Sequence, residues 1–70
     1  MKMINVKSSN VKAIGYDPNM KVLRVEFVHG PSAYEYSGVP LEVFQGFRDA
    51  SSPGKYFLAE VKDRFDFRKV

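Results

Sequence analysis

Between residues 11 and 37 the apolar positions recur every second residue in three short runs, and after Pro40 they recur at helical spacing. That change of period constrains the fold more than any other feature. Alternating runs joined by short turns pair as antiparallel strands, and a 3.6-residue period lays helices across them. Residues 21–29 alternate most cleanly, with Leu23, Val25 and Phe27 on one side and Arg24 and Glu26 on the other. Residues 33–37 put Tyr34 and Tyr36 on one face. Asp17-Pro18-Asn19-Met20 and Gly30-Pro31-Ser32 supply the turns, because proline pre-sets φ and asparagine or glycine accepts the left-handed region. The expected architecture is α+β: a three-stranded antiparallel β-meander followed by two α-helices packed on one face.

In residues 11–16, the first strand, the alternation breaks. Val11 and Ala13 share one parity, Ile14 and Tyr16 the other, and Gly15 sits beside the break. A β-bulge at Gly15, where glycine permits positive φ, is the expected cause. The first helix is expected to take Pro40 as its first residue, with Glu42 at the positive end of its dipole and Val43, Phe44 and Phe47 turned inward. Gly46 weakens such a helix by about 1 kcal/mol relative to alanine, a loss that close packing would offset. The second helix is expected from Pro53, capped by Ser52, to Asp63 or Arg64. On it Phe57, Leu58 and Val61 share one face, Lys55 and Lys62 share a flank, Glu60 reaches Arg64, and Tyr56 lies on the back. The alternation of residues 64–68 also admits an extended tail pinned by Phe65 and Phe67.

Seventy residues form one domain spanning 1–70. A core of this size supplies roughly 3–5 kcal/mol of net stability. Cysteine is absent, so no disulfide or thiolate metal site supports the fold. His29 is the single histidine and cannot build a zinc site alone. The serines lack a nucleophile elbow, and each glycine punctuates a separate element instead of forming a phosphate-cradling loop. Catalysis, cofactors and metals are therefore not expected. No apolar run approaches the length of a membrane span, and the first residues lack the apolar stretch of a secretory signal. The expectation is a cytoplasmic monomer without a membrane partner.

The formal charge of +3 is unevenly placed. Residues 1–16 carry Lys2, Lys7 and Lys12 and no acid. Residues 17–54 are acidic in balance, and residues 55–70 are basic again. Basic ends of this kind suit an anionic partner. Lys55 and Lys62, with Tyr56 beside them and Lys7 and Lys12 in the acid-free segment, are the candidate nucleic-acid contacts. The start of the second helix near Gly54 adds backbone N–H groups that favour an anion. Against this, each lysine also suits a solvated surface, and Ser8-Ser9-Asn10 suits a turn that bonds nearby backbone. The other sheet face, with Arg24, Glu26 and Glu35, has mixed signs and no aromatic, a poor RNA platform.

Four motifs occur in order: Ser8-Ser9-Asn10-Val11, Ile14-Gly15-Tyr16-Asp17, Tyr34-Glu35-Tyr36-Ser37-Gly38-Val39-Pro40 and Ser52-Pro53-Gly54-Lys55-Tyr56-Phe57. Together they resemble the KTSC family, over roughly residues 6–67. That domain sits at the C-terminus of some lysyl-tRNA synthetases and also occurs as a free-standing short bacterial protein. Its signature Tyr-x-Tyr is matched by Tyr34 and Tyr36. Leu58 departs from the polar residue common in relatives after the Tyr-Phe pair. The resemblance implies RNA binding through the synthetase attachment.

Two functions follow as expectations. One is a non-catalytic module binding RNA through a basic surface. The other is a protein-interaction module using an apolar patch around Tyr56 or the Phe65–Phe67 tail. Tyr34 and Tyr36 stack nucleobases under the first reading. As core residues they instead lie under the helices with Leu23, Val25 and Phe27. Core packing is preferred for both, because a meander this small needs its aromatics inside, and the motif residues Gly15 and Gly54 are likewise expected to be structural.

Overall fold

The computed structural model describes residues 1–30 and 33–70. Five strands, β1 (Met3–Asn5), β2 (Val11–Asp17), β3 (Val22–Phe27), β4 (Ala33–Ser37) and β5 (Phe67–Lys69), form one antiparallel sheet in sequence order. Two helices, α1 (Leu41–Asp49) and α2 (Pro53–Glu60), separate β4 from β5. The α+β class and the central meander match the expectation. The sheet is wider by two edge strands of three residues each.

The core lies between one sheet face and the helices. Ile14, Leu23, Val25 and Tyr36 meet Phe44 and Phe47 of α1 and Phe57 and Val61 at the end of α2. Opposed pairs explain the selection: Leu23 faces Tyr36, Val25 faces Tyr34, and Ile14 faces Val25 across the ladders, so their side chains share a face. Fully burying one large apolar side chain contributes about 1.5–3 kcal/mol.

The parity break in β2 is real, but its cause is not Gly15. Val11 pairs with Phe27 and Ala13 with Glu26, so Lys12 is the extra residue of a bulge. That residue lets Val11 and Ile14 both enter the core. Gly15 sits in regular register between Met3 and Arg24. It is buried because β1 covers it: a Cβ there would lie 2.6 Å from Met3 Sδ and 3.0 Å from the Lys2 carbonyl.

Other local expectations shift by a residue or a few. Pro40 is the N-cap of α1, in extended conformation, one position before the helix. Ser52 is the N-cap of α2, yet its hydroxyl makes no capping bond. In the first turn Asp17 Oδ1 accepts from the Asn19 and Met20 N–H groups, and Lys21, not Asn19, takes the positive φ of 53°. Gly30 begins the second turn with φ of 83°. Pro31 and Ser32, also expected there, lie outside the described residues. Helix α2 ends at Glu60, earlier than the apolar period indicates. Val61 still donates to the Phe57 carbonyl, as does Lys62, which closes the helix with a wider turn. Arg64 therefore reaches the Ala59 carbonyl instead of Glu60. The tail is extended, and Ser37 N–H to Asp66 O and Val70 N–H to Ala33 O prolong its pairing with β4.

Candidate functional site

The surface beside α2 carries three clefts that share lining residues and so form one groove. At one end Lys7, Ser8, Ser52, Gly54 and Lys55 line a polar cleft. Asn10, Gly54 and Leu58 connect it to a middle cleft that His29 and Phe27 also line. Phe27 and Phe57 connect that cleft to a third, walled by Tyr34, Tyr36 and Phe67 with Lys62 and Asp63.

The loop before β2 positions the polar end. Ser8 Oγ accepts from the Asn10 and Val11 N–H groups, at 3.1 and 3.2 Å, which folds the segment into a turn against the start of α2. A Cβ on Gly54 would lie 3.4 Å from Asn10 and 3.6 Å from Ser8. The lack of a side chain at Gly54 thus keeps the floor of the cleft open.

The candidate contacts do not form the expected single patch. Lys7 and Lys55 meet at the polar end. Lys62 lies beyond the end of α2, so it shares no helix flank with Lys55, and it borders the aromatic end of the groove. Lys12, at the bulge, lines a separate cleft with Arg24, Glu26 and Val70. Tyr56 is half-buried: it lines a shallow surface cleft with Lys55 and Glu60 and is anchored on its inner side. Its ring stacks on Phe47 with centroids 5.5 Å apart, and its hydroxyl donates to the Val43 carbonyl at 3.0 Å. Gly46 makes this possible, since a Cβ there would run into the Tyr56 ring, with Cζ only 2.9 Å away. Leu58, expected inward, is 60% exposed and lies in the groove.

The aromatic end was missed as a unit in the sequence, because its rings come from β3, β4, α2 and β5. Phe27, Tyr34, Phe67, Tyr36 and Phe57 touch in a closed circuit. Successive centroids are 5.9, 5.6, 5.6 and 5.8 Å apart, and the last step, Phe57 to Phe27, is 5.3 Å. Tyr36 and Phe57 are buried and form the floor, while Phe67 is 57% exposed at the rim. The signal available beforehand was the period-2 tail, which brings Phe67 onto the tyrosine face of β4 through the Tyr36–Phe67 pairing.

The four tyrosine hydroxyls divide into two kinds. Tyr16 donates to the Val39 carbonyl and Tyr56 to the Val43 carbonyl. Those of Tyr34 and Tyr36 have no hydrogen-bond partner among the described residues. Burial pushes the Tyr36 hydroxyl up to about 12, with Tyr34 and Asp63 adding to the effect. Tyr36 is thus a neutral donor and acceptor in an apolar setting.

Charge separates the two sheet faces. On the face away from the helices, Arg24 lies 3.6 Å from both Glu26 and Glu35, and Arg68 lies 3.1 Å from Glu35. These four charges cancel. Among the described residues, Lys7, Lys55 and Lys62 have no carboxylate within ion-pair distance.

The KTSC domain model matches residues 7–65. The chain belongs to the KTSC domain family. An uncharacterised protein of Stutzerimonas stutzeri is 42% identical over 57 residues, covering 81% of this chain and 79% of that one. A lysine–tRNA ligase of Nostoc sp. is 35% identical over 68 residues, covering 97% of this chain but 12% of the ligase. The crystal structure of a KTSC domain protein from Yersinia pestis superposes with a TM-score of 0.91 at 37% identity, covering 99% of this chain and 96% of that one. The KTSC domain here is thus a small α+β module. No described helix is long and apolar enough to cross a membrane, and no cluster of three or more His, Asp or Glu among the described residues could hold a metal ion.

Proposed function

We propose that this KTSC domain binds single-stranded RNA along the groove beside α2, with Lys7 and Lys55 at one end and Lys62 at the other. The observation that carries this reading is the placement of Lys7, Lys55 and Lys62, none with an ion-pair partner among the described residues, at the two ends of a groove with aromatic walls. At the back of the sheet Arg24 and Arg68 are neutralised by Glu26 and Glu35, and Lys12 beside them has no aromatic wall but Phe27. Paired charges give little to a polyanion, and unpaired ones release its counterions. The aromatic walls between the lysines supply faces on which bases stack. The relation to the lysine–tRNA ligase adds a context in which RNA is at hand.

Titrating labelled single-stranded RNA at several salt concentrations tests the reading. Three phosphate contacts give a log–log slope near −2, taking about −0.7 per contact. Replacing Lys7, Lys55 and Lys62 together by Gln should flatten it almost completely, and Lys12→Gln should leave it unchanged. Absence of binding at low salt, or binding indifferent to the triple substitution, removes the proposal. The exposed Leu58 and Phe67 would then favour a protein partner.

A further inference from the structure

We infer that the open cleft lined by Phe27, Tyr34, Tyr36, Phe57 and Phe67 is a pocket for one unstacked nucleobase; this deepens the RNA reading above. The cleft has a volume of about 430 Å³, within the roughly 300–1,000 Å³ range of small-molecule sites. Its walls are π-faces, which suit a planar heterocycle whatever its sequence context. Its floor carries the feature that points to a ligand. Tyr36 is 3% exposed as a residue, but its hydroxyl, without a partner among the described residues, keeps access to the cleft that the ring lines. A base edge entering the cleft offers both donors and acceptors to that phenol, which stays protonated. The Tyr34 hydroxyl, also unpartnered, gives a second such contact.

The rim chooses among occupants. An aromatic enclosure also attracts quaternary ammonium groups, and Asp63 would assist one. Lys62 on the same rim opposes a cation and favours the phosphate attached to a base. A purely apolar side chain would fill the space but leave both hydroxyls unsatisfied at a cost. A base attached to its phosphate satisfies the walls, the floor and the rim together.

Nucleosides test the pocket apart from the lysines, because they carry no phosphate. Adenosine and uridine, each added at about 10 mM to detect a millimolar site, should shift the NMR signals of residues 27, 34, 36, 57 and 67. Phe67→Ala, at an exposed edge, should weaken that binding roughly 5- to 100-fold, and Tyr36→Phe roughly 2- to 10-fold. Lys7→Gln and Lys55→Gln should leave it unchanged while weakening RNA. Two results overturn the pocket: nucleosides that leave these signals still, or tetramethylammonium that shifts them where nucleosides do not. RNA bound with the expected salt slope but unaffected by Phe67→Ala also overturns the pocket, and leaves the RNA reading standing. Nucleosides bound in the cleft without RNA retention give the reverse.

Discussion

The two ends of the helical layer are built from the same residue types and finished differently. At the α1 end Tyr16 stacks on Phe44 at 5.2 Å and Tyr56 on Phe47, and each hydroxyl is tied to a backbone carbonyl. Gly46 is notched to admit Tyr56, and Phe47 and Val39 are fully enclosed. At the α2 end Tyr34 and Tyr36 meet Phe27, Phe57 and Phe67 around a cleft, and their hydroxyls are tied to nothing in the described chain. The first end is closed and satisfied. The second is ordered but incomplete. Aromatic content alone does not separate a core from a site; where each polar tip goes does.

The largest expected effect comes at the floor of the open end. Tyr36→Ala removes a buried ring that touches Phe57 and Phe67, and truncations of that size cost roughly 3–5 kcal/mol. A domain with a net stability of about 3–5 kcal/mol would unfold, seen as loss of a cooperative thermal transition. A folded Tyr36→Ala protein would show that the open end contributes little to the fold and would sharpen the contrast with α1.

Next comes the notch. Gly46→Val drives two methyl groups into the Tyr56 ring, and overpacking of this kind costs about 1–3 kcal/mol. Gly15→Val meets Met3 and the Lys2 backbone, so a loss in the same range is expected. The two separate by rescue. Tyr56→Ala should relieve Gly46→Val but not Gly15→Val, and Met3→Ala should relieve Gly15→Val only in part, because the Lys2 carbonyl remains. Additive double substitutions in both cases would refute the packing partners assigned here.

The legibility of the chain follows the same divide. The three central strands and both helix starts are readable because alternation and proline act locally. β1 and β5 are not, since three residues such as Met3-Ile4-Asn5 become a strand only by pairing with Gly15-Ile14-Ala13. Parity in β2 reveals that a switch occurs, but Gly15 drew the bulge away from Lys12 because its true reason, cover by Met3, lies in the unread strand. The end of α2 was overrun because Val61 continues the buried face of Phe57 after the helix has stopped. That overrun joined Lys62 to Lys55 and hid its place at the aromatic cleft. The inward anchoring of Tyr56 is not legible in the sequence because nothing in its neighbours announces the Gly46 notch ten residues earlier.

The smallest expected effects at neutral pH come from deleting single hydroxyls, and they compare the two ends most directly. Tyr56→Phe loses a hydrogen bond to Val43 and should cost about 0.5–1.5 kcal/mol. Tyr36→Phe loses no bond within the described chain, so its melting curve at neutral pH should match or exceed that of the parent. Alkaline pH reveals the hidden group. The folded state raises the Tyr36 hydroxyl from its ordinary 10.0 to about 12, so the fold binds that proton more tightly than the unfolded chain does. The resulting stabilisation is fully present below pH 10 and is lost as pH rises toward 12. The parent should therefore weaken over that window more steeply than Tyr36→Phe. The fall that remains in the variant belongs to Tyr16 and Tyr56, whose hydroxyls burial also pushes up. Urea unfolding of both proteins at a series of pH values measures the difference. Parallel curves would mean that the Tyr36 hydroxyl is wetted in the folded state. A water-filled floor would still hold the rings in place, and the two ends would then differ only in whether their hydroxyls bond the backbone or face the cleft.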